Sequence, residues 1–149
     1  MSLTYEQAYD EIHEQFLAAW EGDPISQDVP VIYWDTKSQV PGTEDSDDNP
    51  DPWTRITVQH SQGNQASLAN HLGRQRYEQT GVVTIQIFTP LGTGLSLNQK
   101  LSKIAADAFR GKKTPGGVWF RNVRPNEVGE SGAWFQTNIL AEFEYDEII

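Results

Sequence analysis

The sequence predicts an α+β domain in which a single, mostly antiparallel or mixed sheet has two helices packed on one face. Two stretches repeat apolar residues at the spacing of an amphipathic helix, and five stretches are rich in β-branched and aromatic residues. Strands that follow one another directly favour antiparallel pairing, and two amphipathic helices need an apolar sheet face to cover. The predicted element order is α-β-β-β-α-β-β.

The first helix is predicted over residues 4–20. Its apolar face is made by Tyr5, Ala8, Tyr9, Ile12, Phe16, Ala19 and Trp20. Thr4 and Gln7 match a capping box, in which a hydroxyl and an amide bond the free backbone N–H groups of the first turn. Gly22 ends the helix, and the short apolar run at 29–34 predicts the first strand.

Alternating or β-rich patterns predict four further strands. They cover residues 53–60, 76–89, 118–123 and 134–145. The second helix is predicted at 95–110, between the second and third of these strands, and Gly111 follows it as a left-handed C-terminal residue.

Two polar segments, at 35–51 and 61–75, are predicted to be mobile loops of one domain that spans residues 1–149. Neither segment carries enough apolar residues to bury a face. Loops longer than about 12–15 residues inside a small domain are usually functional or disordered. We therefore expect these loops to contact partners.

Charge is distributed unevenly along the chain, whose net charge is -10. Residues 1–53 carry 13 acids and one base, residues 54–129 carry ten bases and three acids, and residues 130–149 carry five acids and no base. Such asymmetry indicates an interaction surface. The acidic excess argues against specific nucleic-acid binding. No apolar run reaches the length of a membrane span, so we expect no membrane partner.

The acidic cluster in the first polar segment was tested against the calcium-binding loop of an EF-hand. Asp45, Asp47 and Asn49 match positions one, three and five. Pro50 stands where the loop needs glycine, and Ile56 stands where it needs a bidentate glutamate. The EF-hand reading fails, which leaves opportunistic cation binding or, as the preferred prediction, a solvated or partner-facing loop. The partner-facing residues are predicted to be Glu44, Asp45, Asp47, Asp48 and Asp51.

Other chemical motifs are incomplete. Gly92 and Gly94 lie between a strand and a helix, but Leu97 replaces the third glycine of a dinucleotide-binding loop. Ala106 replaces the first glycine of a phosphate-binding loop before Gly111. A catalytic triad built on any of the three histidines needs an assumed partner, and the chain has no cysteine. We predict no enzyme activity, no catalytic residue, no metal and no cofactor.

Tryptophan and arginine are the residue types most enriched at protein interfaces. The predicted interface residues are Trp53, Arg55, Arg74, Arg76, Trp119, Arg121 and Trp134. For each of these tryptophans, burial in the hydrophobic core is an alternative of equal weight to a role at an interface.

Several segments together resemble a known family. They are GVVTIQIFTPLGTG at 81–94, the helix that ends in Phe109-Arg110-Gly111, GAWFQTNI at 132–139 and FEYDE at 143–147. With the N-terminal helix and the strand at Trp34, they are similar to small prophage-encoded tail proteins. Those proteins resemble the tail terminator of lambda-like siphophages, the family of the minor tail protein U. The likeness spans almost the whole chain.

The resemblance implies a structural role in assembling a phage or prophage tail. Tail terminators form a six-fold ring that caps the tail tube and presents a surface for docking of the head. The implied partners are other copies of the chain, the tail-tube protein and the head or neck connector protein, and DNA passes through the lumen without specific binding. The chain would be located in the virion tail, and in the cytoplasm of the bacterial host during assembly. An isolated subunit could be a monomer.

Two other functions stay open at this point. A head-tail connector or a tail-tube component belongs to the same structural class, and an enzyme acting on a small molecule is the less favoured third reading. The acidic N-terminal third and the basic middle of the chain would supply complementary patches for ring assembly.

Overall fold

The computed structural model describes residues 3–33, 52–65, 76–92, 94–132 and 134–148. Two helices and five strands lie within these ranges. They are α1 (Tyr5–Glu21), β1 (Val31–Tyr33), β2 (Trp53–Gln65), β3 (Arg76–Pro90), α2 (Leu95–Asp107), β4 (Trp119–Ser131) and β5 (Trp134–Ile148). The predicted α+β class is confirmed.

All five strands form one sheet in the order β1-β2-β3-β5-β4. The four long strands pair antiparallel, as predicted, and β1 pairs in parallel with β2 at one edge. Ile56, Ile85 and Ile139 are register partners across β2, β3 and β5. Register partners point to the same face of a sheet, so this row defines its apolar face.

The element order needs one correction at the first strand. The prediction treats residues 29–34 as a strand equal to the others. Residue 34 lies outside the described residues, and within 29–33 the paired strand covers Val31–Tyr33. Pro30 has no N–H to donate, and its carbonyl accepts the N–H of Thr54 at 2.9 Å. The antiparallel part of the sheet therefore has the order α-β-β-α-β-β, with β1 as a short parallel addition.

All four long strands extend beyond their predicted ends, and β2 and β4 do so by the most. β2 continues to Gln65, so the predicted loop at 61–75 is wrong over residues 61–65, which include partners of residues 77–80 in β3. β4 continues to Ser131 through residues that are mostly exposed. Backbone pairing does not require apolar side chains, so polar strands at a sheet margin give no apolar pattern. The other predicted loop residues, 35–51 and 66–75, lie outside the described residues.

Helix α1 begins with the predicted capping box. The Thr4 hydroxyl accepts the N–H of Gln7 at 3.2 Å, and the Gln7 amide oxygen accepts the N–H of Thr4 at 3.0 Å. Helix α2 ends at Asp107, three residues earlier than predicted. Gly111 has the expected left-handed φ of 64°, but it closes a turn that follows the helix.

Both helices contribute to one cluster of buried apolar residues. From the helices the cluster takes Ala8, Ile12, Phe16, Trp20, Leu101, Ala105 and Ala106, and from the long strands Ile56, Val58, Val83, Ile85, Ile87, Phe120, Ile139, Ala141, Phe143 and Tyr145. The Phe16 and Phe109 rings stack with centroids 6.1 Å apart, and the Gln15 amide donates to the carbonyl of Ala108 at 3.1 Å. These contacts join α1 to the segment that follows α2.

We expect Gly81→Ala to destabilise the fold by about 1–3 kcal/mol because it overpacks the sheet. A Cβ at Gly81 would collide with the backbone oxygen of Gln59 and lie 2.5 Å from the Phe143 ring. Gly63→Ala is the matched control, since the nearest atoms there belong to the flexible side chain of Gln79. Urea unfolding measures both variants. Equal losses of unfolding free energy would contradict this account of Gly81.

Candidate interaction surfaces

The face of the sheet opposite the isoleucine row is polar, and we call it the polar face. Arg55, Gln86 and Asn138 are register partners on it, one step from that row. All three side chains are half-buried. Alternation along the strands therefore separates an apolar face from a polar face.

Three of the predicted interface residues meet where β2 begins. The Trp53 ring stacks on Phe88 with centroids 4.1 Å apart, and Trp134 meets Trp53 edge-on at 6.1 Å. The Arg55 guanidinium carbon lies 5.1 Å from the centre of the Trp53 ring, and burial lowers the pKa of Arg55. Trp53 is only 3% exposed, so its observed role is packing, as the core alternative proposes. We call these four residues the Trp53 cluster.

Two further predicted interface residues meet at the start of β4. Trp119 is 42% exposed, which is high for a tryptophan, and the Arg121 guanidinium carbon lies 5.6 Å from its ring centre. Arg121 also pairs with Glu144 at 3.4 Å, and Arg124 pairs with Glu142 at 3.2 Å. We call these five residues the β4 surface. Its ion pairs hold Arg121 in place beside an exposed aromatic ring.

The remaining predicted residues do not join either group. Arg76 lies at the start of β3, where it pairs with Glu78 at 3.2 Å and Asp146 at 3.9 Å. Arg74 and the acidic residues Glu44, Asp45, Asp47, Asp48 and Asp51 lie outside the described residues. Trp53 is the register partner of Phe88, and Trp119 that of Glu144, so the two groups lie near opposite ends of the sheet.

The structure also contains a groove that the sequence did not predict. It has a volume of about 460 Å³ and lies between α2 and the strands β4 and β5. Leu95, Phe135 and Ile139 contribute apolar surface, and Lys103 and Arg110 contribute charge. The volume falls within the range of about 300–1,000 Å³ found for ligand-binding clefts. We call it the α2 groove.

A hydrogen-bonded asparagine stiffens one wall of the α2 groove. The Asn98 amide donates to the Thr89 hydroxyl at 3.0 Å and to the carbonyl of Phe135 at 3.3 Å, and it accepts from the Thr137 hydroxyl at 2.6 Å. Satisfied buried polar groups fix the geometry of the elements that they join. An asparagine in the apolar stripe of α2 is the sequence signal that could have pointed to this site.

A histidine–tyrosine pair lies at the end of the apolar face away from the Trp53 cluster. His60 Nε2 lies 2.7 Å from the Tyr145 hydroxyl, and the ring of Tyr5 lies 4.4 Å from the His60 ring. Burial lowers the pKa of His60 and, with the charge of Glu147, raises the pKa of Tyr145 to about 12. His60 Nδ1 is buried without a hydrogen-bond partner in the described part of the chain. The neutral forms of both side chains are favoured.

Among the residues that the structure describes, no three His, Asp or Glu side chains lie close enough together to hold a metal ion. No described helix has both the length and the apolar character that crossing a membrane requires.

Solved structures with the same overall fold exist. Seventeen chains match, and one of them superposes on this chain with a TM-score of 0.59 over 96% of both chains, at 14% sequence identity. Likeness at that identity establishes the fold alone. No family model matches the chain, and no curated protein matches it.

The His60 pair generates a pH prediction. A folded-state pKa below the ordinary value of 6.5 means that the unfolded chain takes up this proton first, so stability falls as the pH drops through 6.5. We expect His60→Gln to flatten the dependence of the urea midpoint on pH between about 5 and 8. Identical slopes for the variant and the wild-type protein would contradict the prediction.

Proposed function

We propose that this chain is a structural protein of a phage or prophage tail, a tail-terminator-like subunit that forms a ring on the tail tube and provides the docking surface for the head. The resemblance of residues 81–94, 132–139 and 143–147 to that family supports the proposal. The α+β fold agrees with it, since a mixed helix-and-sheet domain is what the resemblance implies.

The observation that carries the proposal is the exposed Trp119 on β4, with the Arg121 guanidinium over its ring. A large apolar ring left in water loses the free energy that burial would give it. Tryptophan and arginine at the centre of an interface commonly dominate its binding energy. The β4 surface therefore has the composition of a protein-docking site.

The separation of the candidate residues also supports a ring. Closed rings of identical subunits use heterologous contacts, in which one patch meets a different patch on the next copy. Arg55 and Trp134, which are half-buried, lie near one end of the sheet, and Trp119 and Arg121 lie near the other. In our proposal both helices cover the apolar face, so the polar face and the β4 surface are left for partners.

The charge distribution gives the proposed ring its assembly behaviour. The acidic N-terminal third and the basic middle steer copies together, with an attraction that salt weakens. Exposed ion pairs contribute only about 0–1 kcal/mol each, so aromatic burial supplies most of the affinity. If the excess acids line the lumen, DNA would pass through it without sticking.

Light scattering over a concentration series, followed by negative-stain electron microscopy, tests the proposal. Six-fold rings with a central hole are the expected result. Long tubes would favour the alternative of a tail-tube component, and a connector would appear as rings that bind the head but not the tail tube. A protein that stays monomeric at every concentration, with and without tail tubes, contradicts the ring.

We expect Trp119→Ala to weaken ring assembly by at least about tenfold, because truncating a central tryptophan commonly costs about 2 kcal/mol or more. Leu91→Ala is the control, since Leu91 is 43% exposed but lies outside the β4 surface. Sedimentation velocity measures the assembly of both variants. Assembly that is equally strong in Trp119→Ala and in the wild-type protein would contradict the role of Trp119.

A further inference from the structure

The rim of the α2 groove carries an excess of positive charge. Lys103 pairs with Asp107 at 2.6 Å, and Arg110 lies 3.7 Å from the same carboxylate, so one acid serves two bases. The Lys103 side chain is 73% exposed and the Arg110 side chain is 50% exposed. Residues 95–118 carry five bases and one acid in all. Among the residues that line the groove, Glu127 on the opposite wall is the one acid, against the two bases Lys103 and Arg110.

The chain itself contains a segment of complementary chemistry. Residues 44–51 carry five acids and no base. Pro50 lies within this segment and Pro52 follows it, and each proline restricts its own backbone and that of the residue before it. A chain that is already restricted in this way loses less backbone entropy when it enters a groove. The apolar surfaces of Leu95 and Phe135 would pack against its proline rings.

Sheet topology puts the strands that flank this segment in the sequence and the α2 groove at opposite edges. Residues 34–52 connect the end of β1 to the start of β2, and these two strands form one edge. The α2 groove borders β4, which forms the other edge. Four strand spacings of about 4.8 Å separate β1 from β4. A head-to-tail contact brings the β1 edge of one copy to the β4 edge of the next.

We propose that the α2 groove binds the acidic segment 44–51 of a second copy of this chain. The inference rests on the proposed ring and names the contact that joins its subunits. Charge complementarity with Lys103 and Arg110 selects the segment, and the head-to-tail contact of the proposed ring supplies it from a neighbouring copy.

Peptide binding tests the contact directly. The probe is a fluorescein-labelled peptide of residues 40–52, and the titrant is a full chain with Glu44→Gln and with Asp45, Asp47, Asp48 and Asp51 changed to Asn. This neutralised chain cannot compete with the peptide through its own segment. We expect saturable binding by fluorescence anisotropy that weakens as salt is added. Absence of binding at low salt overturns the inference.

Matched charge reversals locate the binding site. Lys103→Glu with Arg110→Glu, added to the neutralised chain, should weaken binding by at least about tenfold, since each reversal replaces an attraction with a repulsion. Lys100→Glu with Lys112→Glu makes the same change in charge at exposed positions that do not line the groove. This control pair should change binding by less than about threefold. Equal losses from the two pairs would show diffuse attraction and overturn the inference.

Mixing distinguishes a neighbouring copy from the same chain. The neutralised chain keeps the basic groove but has lost the charge of its acidic segment. The Lys103→Glu, Arg110→Glu chain keeps the acidic segment but has lost the positive charge of its groove. We expect each variant alone to self-associate more weakly than the wild-type protein, and the mixture to form a one-to-one dimer in sedimentation velocity. No dimer in the mixture overturns the contact between copies.

The ring and the groove contact can fail separately. If the wild-type protein forms rings but the peptide does not bind, the proposed ring stands and the proposed groove contact is wrong. If the peptide binds and the mixed dimer forms but no rings are seen, the groove contact stands and the ring is wrong.

Discussion

Ile56, Ile85 and Ile139 lie side by side on β2, β3 and β5 and are almost completely buried. Their burial against the helical residues of the core fixes the register of the three strands, because a slip by one residue would turn every apolar side chain toward the polar face. The register then determines where the other surfaces lie. Trp53 and Phe88 stack on the polar face near one end of the sheet, and Trp119 lies near the other.

The two edges of the sheet differ in ways that favour docking through side chains. At one edge, β1 has only three residues, so it offers a short row of backbone groups to another strand. β4 is long, but its pairing with β5 shifts register at two places, and Asn122 and Gly129 have positive φ angles of 52° and 92°. Bulges and a proline at position 125 make an edge strand a poor template for another strand. Partners at β4 are therefore expected to bind its side chains.

Sequence patterns predicted the fold class because apolar periodicity follows directly from burial. The capping box at Thr4, the two helices and the alternating strand at 76–89 all have such a signal. β4 was predicted too short because its residues beyond 123 are mostly exposed and polar, and an exposed edge strand leaves no apolar pattern. β2 was predicted too short because residues 61–65 are polar and give no apolar pattern.

The sequence could predict which residue types form the candidate surfaces, but not how these residues are arranged in space. Residue type identified Trp119 and Arg121, which the structure brings together, but it could not show that Trp53 is buried by Phe88. The α2 groove depends on the spacing between a helix and two strands that are distant in sequence, so no local pattern gives its shape. Asn98 in the apolar stripe of α2 is a local sign of a polar site, but its partners, Thr89 and Thr137, come from other elements that the sequence does not bring together.

The central claim is that copies of this chain join through unlike edges. The chain has no cysteine, so single cysteines introduced at Ser46 and at Glu127 can be joined with a short bismaleimide linker. Cross-linked dimers should form in a mixture of Ser46→Cys and Glu127→Cys chains, and each variant alone should give few. Efficient cross-linking of Glu127→Cys to itself, with none in the mixture, would show a contact between like edges and contradict the account.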